Sequence, residues 1–363
     1  MTLANVRNYA ALEFTPAAGL NVFVGANAQG KSNLLEAIAL LGTGKSFRTS
    51  REGEVVRHGL PSASLSGEAR VAAGSVRLSC SLAVANGALR KVYAINGRKV
   101  RYASYLGRVR VVTFVPAQLA LVTGAPALRR SLLNAALAQE SPRYYAALAT
   151  YGTYLAQKNA LLRGAHPVDE ALLATYDERL VAAGTELILA RRAFVAALAE
   201  RVRAVHRSWV GDTEGTLELE YACDVPCDVP TKDGIGAAFS ARLAAKAAAE
   251  RARGMALVGP HRDDLIFRLG HRPLAAFGSQ GQQRTAVLAL KVAEYAVARI
   301  RSGEAPLLLL DDVLSELDPQ RQRAFLGEVG SFDQAFVTTA HAIDVPAAVT
   351  YRIEGAHLER ISA

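Results

Sequence analysis

The sequence predicts an α/β fold built around a phosphate-binding loop, with an antiparallel β lobe and an inserted helical lobe. Three observations carry this expectation. A glycine-rich loop separates a strand pattern, LNVFVG, from a helix pattern, NLLEAIALLGTG. Four leucines run into two aspartates in PLLLLDDV. Between these features, from about residue 126, alanine, leucine and arginine recur at helical spacing.

The elements follow in order. LANVRNYAALEF and LNVFVG alternate as strands, and the second stops at the glycine-rich turn. ASLSGEARV, SVRLSCSLAV and LRKVYAING are short strands whose Ala-Gly and Asn-Gly junctions suit tight antiparallel hairpins. VRVVTFVP reads as a buried strand closed by Pro116. Three helices are expected over 127–139, 142–163 and 169–207, the breaks falling at Ser141-Pro142 and Gly164 to Pro167. The long one can return antiparallel along its predecessor. TLELEYA reads as a strand, IGAAFSARLAAKAAAERARG as a helix, and MALVGP and LIFRLG as strands. After SQGQQR and its helix come PLLLLDDV, QAFVTTA and YRIEGAHLER, all of strand character. The expected division is therefore 1–125 and 255–363 as two halves of one head, with 126–254 as a helical insertion.

At 363 residues and 51% apolar content the chain can bury a large core. The net charge of +9 suits an anionic partner, since a polyphosphate backbone binds through counterion release, although solubility alone is the plain alternative. Three cysteines, Cys80, Cys223 and Cys227, are too few and too irregular for a disulfide framework and point to a reducing compartment, the cytoplasm. CDVPC lacks the second Cys or His pair that a zinc site needs. The N-terminus shows no basic segment followed by an apolar one, and no apolar run approaches bilayer length, so no membrane role is expected.

Gly25-Ala26-Asn27-Ala28-Gln29-Gly30-Lys31-Ser32 fits GxxxxGK(S/T) between a strand and a helix, where the mechanism requires it. Backbone N–H groups would cradle phosphates, Lys31 would reach the β and γ oxygens, and the Ser32 hydroxyl would ligate Mg²⁺. Asp311 and Asp312 sit where a buried strand delivers carboxylates to such a pocket: Asp311 to the Mg²⁺ shell, Asp312 to orient or deprotonate the attacking water. Asp318, in SELDPQ, falls on a turn before a helix, where an N-cap is the simpler role.

SQGQQR, Ser279 to Arg284, is a second serine-glycine helix start. Two halves of one nucleotide site do not need it, so it is expected to face outward and close on the γ-phosphate held by another copy of the chain. A P-loop, an LLLLDD strand, an SxGQxx segment before a long helix, and SELD after the strand together resemble an ABC-type ATPase. NVRNYAAL, GANAQGKSNLLEAI, GKSFR at 44–48, FVPAQLALVTGAPALRR, GPHRDDL at 259–265 and SQGQQRTAVLALKVAE follow in order over nearly the whole chain. Within the ABC type they resemble the RecF family, itself similar to the head domains of structural-maintenance-of-chromosomes ATPases.

The resemblance implies an ABC-type P-loop ATPase head that takes ATP and Mg²⁺ and closes as a head-to-head homodimer. Ser279, Gln280, Gly281, Gln282 and Gln283 would form the signature offered in trans, and Asp318 would belong to the D-loop. Gln118, where the family usually has an acidic residue, would take the Mg²⁺-sensing Q-loop place. His341, in VTTAHAID, resembles a switch histidine, and Arg48 would contact nucleotide or its loop. Ala28 departs from the family's glycine. Aspartate at 312 in place of the usual glutamate implies slow, switch-like hydrolysis. The family further implies a weak DNA-dependent ATPase of recombinational repair and replication, acting on gapped or single-strand/double-strand junction DNA with RecR, RecO and RecA. Candidate DNA contacts are Arg98, Lys99 and Arg101, Arg108 and Arg110, Arg129 and Arg130, and Arg191 and Arg192. Each cluster by itself is more often a solvated face than a contact. The alternatives are a transporter ATP-binding subunit, a chromosome-organising ATPase and a non-catalytic module in which nucleotide is structural; the basic balance weighs against the first and the short helical arm against the second. The HRDD run, His261 to Asp264, lacks the companions of a kinase catalytic loop and is expected to be a charged turn near the signature that couples nucleotide state to the dimer contact.

Overall fold

The computed structural model describes residues 1–164, 168–211, 215–314, 319–329, 332–341 and 348–361. The chain forms two compact units, Met1–Leu119 with Ser279–Ala363, and Ala120–Gly278.

The first unit begins with strands β1 (Thr2–Val6), β2 (Tyr9–Glu13) and β3 (Gly19–Val24), followed by helix α1 (Lys31–Thr43). Then come β4 (Ser62–Val71), β5 (Gly74–Ala85), β6 (Ala88–Ile95), β7 (Arg98–Val100), the one-turn α2 (Tyr102–Tyr105) and β8 (Val111–Phe114). The hairpin turns behave as their residues dictate. Asn86-Gly87 and Asn96-Gly97 all have positive φ, the geometry whose twist matches paired strands. These strands make a six-stranded antiparallel sheet in the order β2-β1-β4-β5-β6-β7.

In the second unit, α3 (Pro126–Glu140), α4 (Pro142–Arg163) and α5 (Glu170–Val210) are followed by β9 (Leu217–Ala222) and α6 (Lys232–Arg253). β10 (Asp264–Leu269), β11 (Arg272–Pro273) and the one-turn α7 (Leu274–Phe277) complete it. α4 and α5 run antiparallel, as the pairs Arg143–Glu186, Tyr144–Arg191 and Lys158–Asp177 show by their opposed numbering. β9, β10 and β11 form a small antiparallel sheet.

MALVGP is not a strand, contrary to its apolar pattern. Its backbone N–H groups are taken by side chains instead of a ladder: Ala256 donates to Asn159 Oδ1 (2.7 Å), Leu257 to Glu250 Oε1 (2.7 Å) and Gly259 to Asp224 Oδ2 (2.9 Å). The segment satisfies the accounting that every buried amide must meet, by another route.

The chain then returns to the first unit with α8 (Gln280–Ser302), β12 (Leu307–Asp311), α9 (Pro319–Val329), β13 (Gln334–Thr339), β14 (Val349–Glu354) and β15 (His357–Arg360). The second large sheet has the order β15-β14-β3-β13-β12-β8, in which all neighbours from β14 to β8 are parallel. β12 is Leu-rich along its whole length because a central parallel strand is covered on both faces. α1 is apolar nearly all round for the same reason. Leu34, Leu35, Ile38, Leu40 and Leu41 share one core with Leu65 and Leu78 of the antiparallel sheet and with Phe23, Leu309 and Phe336 of the parallel one. Burying side chains of this size is worth about 1.5–3 kcal/mol each. The helix that follows the glycine-rich loop is thus pinned from two sides.

Candidate functional site

Four neighbouring parallel strands end at one edge of the sheet, and each delivers a sequence-predicted residue there. β3 leads into the loop 25–30, β12 into Asp311 and Asp312, β13 toward His341, and β8 toward Gln118. In open α/β sheets this carboxyl edge is where ligands bind.

The loop is shaped by close approaches that only glycine permits. A Cβ on Gly25 would lie 2.3 Å from the Ile353 carbonyl oxygen. Gly30 has φ 118° and packs against the side chains of Asn8 and Tyr9. Tyr9 donates its hydroxyl to the Gly30 carbonyl (3.2 Å), Asn8 Nδ2 donates to the Gln29 carbonyl (3.2 Å), and Gly355 N donates to Gln29 Oε1 (2.7 Å). Ala28 is left-handed at φ 65°. The chain therefore adopts there the conformation that glycine would favour, at a cost of about 1–2 kcal/mol.

Lys31, only 7% exposed, donates through Nζ to the carbonyls of Gly25 (2.6 Å) and Ala26 (2.8 Å). Its ammonium thus lies within the curl of the loop. Ser32 Oγ donates to Asp311 Oδ1 at 2.7 Å, and Thr338 Oγ1 donates to the same oxygen at 2.8 Å. The Thr338 hydroxyl also accepts from the Asp312 backbone N–H at 2.9 Å. Asp312 has φ 51°, a sharp exit from β12 that an aspartate tolerates better than most residues.

These residues fit a nucleotide with magnesium. A serine hydroxyl and a carboxylate in contact are hard oxygen donors, and Mg²⁺ is ordinarily held by one or two carboxylates together with phosphate oxygens. Among the described residues no group of three or more His, Cys, Asp or Glu could hold a metal unaided, so the phosphates would have to complete the shell.

Gln118 and His341 are placed by the ends of their strands. Gln118 Oε1 accepts from the Val115 N–H at 3.3 Å, closing the turn after β8. His341 is exposed, and its backbone N–H donates to Thr339 Oγ1 (3.2 Å). Asp318 lies outside the described residues.

Ser279 is the N-cap of α8 in a full capping box: its hydroxyl accepts from Gln282 N (3.2 Å) and its own N–H donates to Gln282 Oε1 (2.9 Å). Gly281 O accepts from Thr285 Oγ1 at 2.8 Å. Ser279 and Gln280 are exposed, while Gly281, Gln282, Gln283 and Arg284 are half-buried. The helix start therefore presents its positive end and the Ser279 side chain to the outside.

Sequence reasoning missed Asn8, which touches the loop, and Arg7, Asn33 and Glu36, which are linked around the start of α1. Asn33 Nδ2 donates to Asn8 Oδ1 (2.7 Å), and Arg48 Nη1 donates to Asn33 Oδ1 (2.5 Å). Arg48 thus reaches the first turn of α1, next to the loop. Arg7 and Asn8 lie in NVRNYAAL and Asn33 and Glu36 in GANAQGKSNLLEAI, but neither run says which of its polar residues meet in the fold.

The basic clusters separate sharply. Arg98, Lys99, Arg101 and Arg108 are exposed, and Arg110 pairs with Glu304 (3.3 Å). Arg129 and Arg191 are corrected: they are not surface contacts. Arg129, 7% exposed, makes a bidentate pair with Asp264 (2.6 and 2.8 Å) and donates to the carbonyls of Leu121 and Gly124. Arg191, 2% exposed, donates to Asp263 Oδ2 (2.9 Å), Pro260 O (2.7 Å), Asn134 Oδ1 (2.9 Å) and Tyr144 OH (3.1 Å). Half-buried Arg130 donates to the Asp263 carbonyl (2.8 Å), and Arg192 is half-buried.

The HRDD run is accordingly a structural junction of the second unit. Asp263, fully buried, also accepts from Tyr221 OH and from Asp224 N (2.9 Å). Burial pushes His261 down to about 4, so the ring is neutral at physiological pH. Its Nδ1 lies 2.7 Å from Tyr151 OH. The cysteines are free; burial pushes Cys80 up to about 11, which leaves an inert thiol.

Among the described residues no helix is long and apolar enough to cross a membrane. The profile of the RecF/RecN/SMC N terminal domain matches residues 1–350. The chain is 43% identical over 342 residues to the DNA replication and repair protein RecF of Thermosynechococcus vestitus, covering 93% of this chain and 89% of that one. It is 40% identical to the protein of the same name from Symbiobacterium thermophilum, over 95% and 92% of the two chains. A solved structure of the recombination mediator protein RecF with ATP superposes with a TM-score of 0.89 at 31% identity, covering 99% of this chain and 96% of that one. An Smc head bound to the C-terminal winged helix of ScpA matches at a TM-score of 0.54 and 13% identity, over 100% and 96% of the two chains, a likeness of fold alone.

Proposed function

The chain belongs to the RecF family, within the wider group that shares the RecF/RecN/SMC N terminal domain, and on that premise we propose that it is an ATP-dependent DNA-binding protein of recombinational repair and replication. The observation that carries the proposal is the meeting of Ser32 with Asp311 at 2.7 Å. It brings two motifs 279 positions apart together at the carboxyl edge of a parallel sheet, which supports the reading of one Mg²⁺-nucleotide site. When bound, magnesium would supply charge neutralisation of the phosphates, and Ser32 and Asp311 are the residues to hold it, with Gln118 following the neighbouring strand β8. Lys31 and the backbone of residues 25–30 bind the phosphates. Asp312 orients or deprotonates the attacking water, and its short side chain favours slow turnover suited to a switch. His341 serves as the switch histidine, and Asp318 contributes from the D-loop.

The exposed helix start at Ser279 to Gln283 is the half of the site that a second copy requires. In this reading ATP closes a head-to-head homodimer, with Ser279 and Gly281 donating to the nucleotide of the partner. The head is formed by both ends of the chain with a helical lobe inserted between them. The dimer binds single-stranded or junction DNA, with Arg98, Lys99 and Arg101 as phosphate contacts, and DNA-dependent hydrolysis releases it. The solved relative is described as a recombination mediator of the RecFOR pathway; RecR and RecO are the expected partners, with RecA loaded downstream, in the cytoplasm.

Sedimentation and DNA retention with and without ATP test the proposal. The expected result is a doubled mass and tighter DNA binding with ATP, both lost in Lys31→Met and in Ser279→Arg. Mass and DNA affinity that ignore ATP would overturn it.

A further inference from the structure

Glu36 is fully buried on α1, one turn beyond Ser32, and gathers three segments around one carboxylate. Arg7, from the turn between β1 and β2, donates Nε to Oε2 (2.8 Å) and Nη2 to Oε1 (2.7 Å). Its remaining Nη1 donates to the Glu54 carbonyl (2.8 Å). Arg7 is therefore spent: every nitrogen of its guanidinium is engaged, and it neutralises Glu36.

The third segment is GKSFR. Ser46 Oγ donates to Glu36 Oε1 at 2.5 Å. Ser46 Oγ in turn accepts from the backbone N–H of Arg48 (3.0 Å) and of Thr49 (3.2 Å). The turn at 46–49 is thus folded around one hydroxyl whose proton is given to Glu36. Arg48 leaves that turn with its side chain 40% exposed, bonded by Nη1 to Asn33 Oδ1 and more distantly to Glu36 Oε2 (3.5 Å). Its Nε and Nη2 make no hydrogen bond with a described residue.

We propose that Glu36 is a positioning residue for nucleotide recognition: saturated by Arg7 and linked through Ser46 to the 46–49 turn, it holds Arg48 beside the phosphate loop with two donors open for the triphosphate of the bound nucleotide. The division of labour follows from the geometry. If Glu36 had only Arg48 as its partner, the buried carboxylate would draw that guanidinium inward and compete with the phosphates for it. With Arg7 bonded to both carboxylate oxygens at 2.7 and 2.8 Å, Glu36 holds Arg48 only by Nη1 at 3.5 Å, which leaves Nε and Nη2 for the ligand, and Ser46 fixes where the turn stands. A guanidinium so placed makes charge-assisted, direction-specific bonds to phosphate oxygens. This inference rests on the ATP reading of the site.

A double-mutant cycle in the full chain tests it. ATP affinity and the melting midpoint are measured for Arg48→Ala, Glu36→Gln and Ser46→Ala, and for the first combined with each of the others. Arg48→Ala is expected to weaken ATP binding about tenfold in the unaltered background, the usual worth of a charged hydrogen bond, and by less than about twofold when Glu36 or Ser46 has been changed. Ser46→Ala leaves the Arg7–Glu36 pair intact, so its loss of ATP affinity is expected without a large fall in melting midpoint, and it carries the test if Glu36→Gln does not fold. An undiminished Arg48→Ala effect in the Ser46→Ala background, or no effect of Arg48→Ala at all, overturns the proposal. Lys31→Met separates the two levels. If it too leaves ATP affinity unchanged, the ATP reading itself fails. If it abolishes binding while Arg48 and Ser46 act independently, only the role of Glu36 fails.

Discussion

Replacing Arg191 with methionine should unfold the second unit more easily and leave DNA affinity alone. The side chain is 2% exposed and spends its donors on Asp263, Pro260, Asn134 and Tyr144. Methionine keeps the apolar stem but strands the Asp263 carboxylate, which is fully buried and among the described residues retains only neutral donors, Tyr221 OH and Asp224 N. Breaking a buried pair by removing one partner costs about 3–5 kcal/mol. At about 2–4 °C per kcal/mol for a domain of this size, the melting midpoint should fall by roughly 6–20 °C. Calorimetry reads this directly. DNA binding, measured well below the new midpoint as a function of salt, should keep its slope, because a phosphate contact that does not exist cannot be lost. A true contact would reduce the slope by about 0.9. An unchanged midpoint together with a shallower salt slope would refute the reasoning and restore Arg191 to the DNA surface.

His261 makes stability depend on acid. Its folded value, about 4, lies below the ordinary 6.5 through burial. The unfolded chain therefore binds a proton that the folded chain refuses between those values. The contribution is full above pH 6.5 and is lost as pH falls toward 4, about 3 kcal/mol in all. Thermal denaturation from pH 7 to 4 should be steeper for the unaltered chain than for His261→Gln; parallel curves would refute it. Gly25→Ala puts a Cβ 2.3 Å from the Ile353 carbonyl oxygen, which is backbone and cannot swing away. The loop must move, and ATP affinity should fall by more than about tenfold; equilibrium binding that matches the parent would count against the described loop.

What the sequence reveals and what it hides follow from whether a residue's partner is near in the chain. The strand–loop–helix at 19–43 is legible because hydrophobic period and glycine placement are local. The Asn-Gly hairpins are legible because φ preference belongs to the residue itself. The helix start at Ser279 is legible because a serine before an apolar-periodic run is a local signal, and the fold adds the Ser279–Gln282 capping box. MALVGP misleads because its amides go to Asn159, Asp224 and Glu250, residues that no local pattern connects to it. Glu36 is invisible for the same reason. On the helix pattern it is one more carboxylate, and only the fold brings it Arg7 from 29 positions upstream.

The same principle governs the reading of charge. Runs of arginine on a helix invite the inference of an anionic partner, yet two of the cations so selected are internal. Arg191 is matched by Asp263 and Arg129 by Asp264, as Arg7 is by Glu36, Lys158 by Asp177 and Glu250, and Lys291 by Glu294. The one-to-one pairs are formally neutral and the Lys158 cluster carries one excess negative charge, so no buried cation among them is unmatched. Their cations add nothing to the field outside. The excess of +9 must therefore be carried by the other ionisable groups, exposed Arg98, Lys99, Arg101 and Arg108 among them. Cations set near a hairpin tip on the edge strand β7, as Arg98 and Lys99 are, have no carboxylate among their hydrogen-bonded neighbours on β6. Such a row would attract a phosphate backbone without reading its bases, if DNA is the partner proposed above.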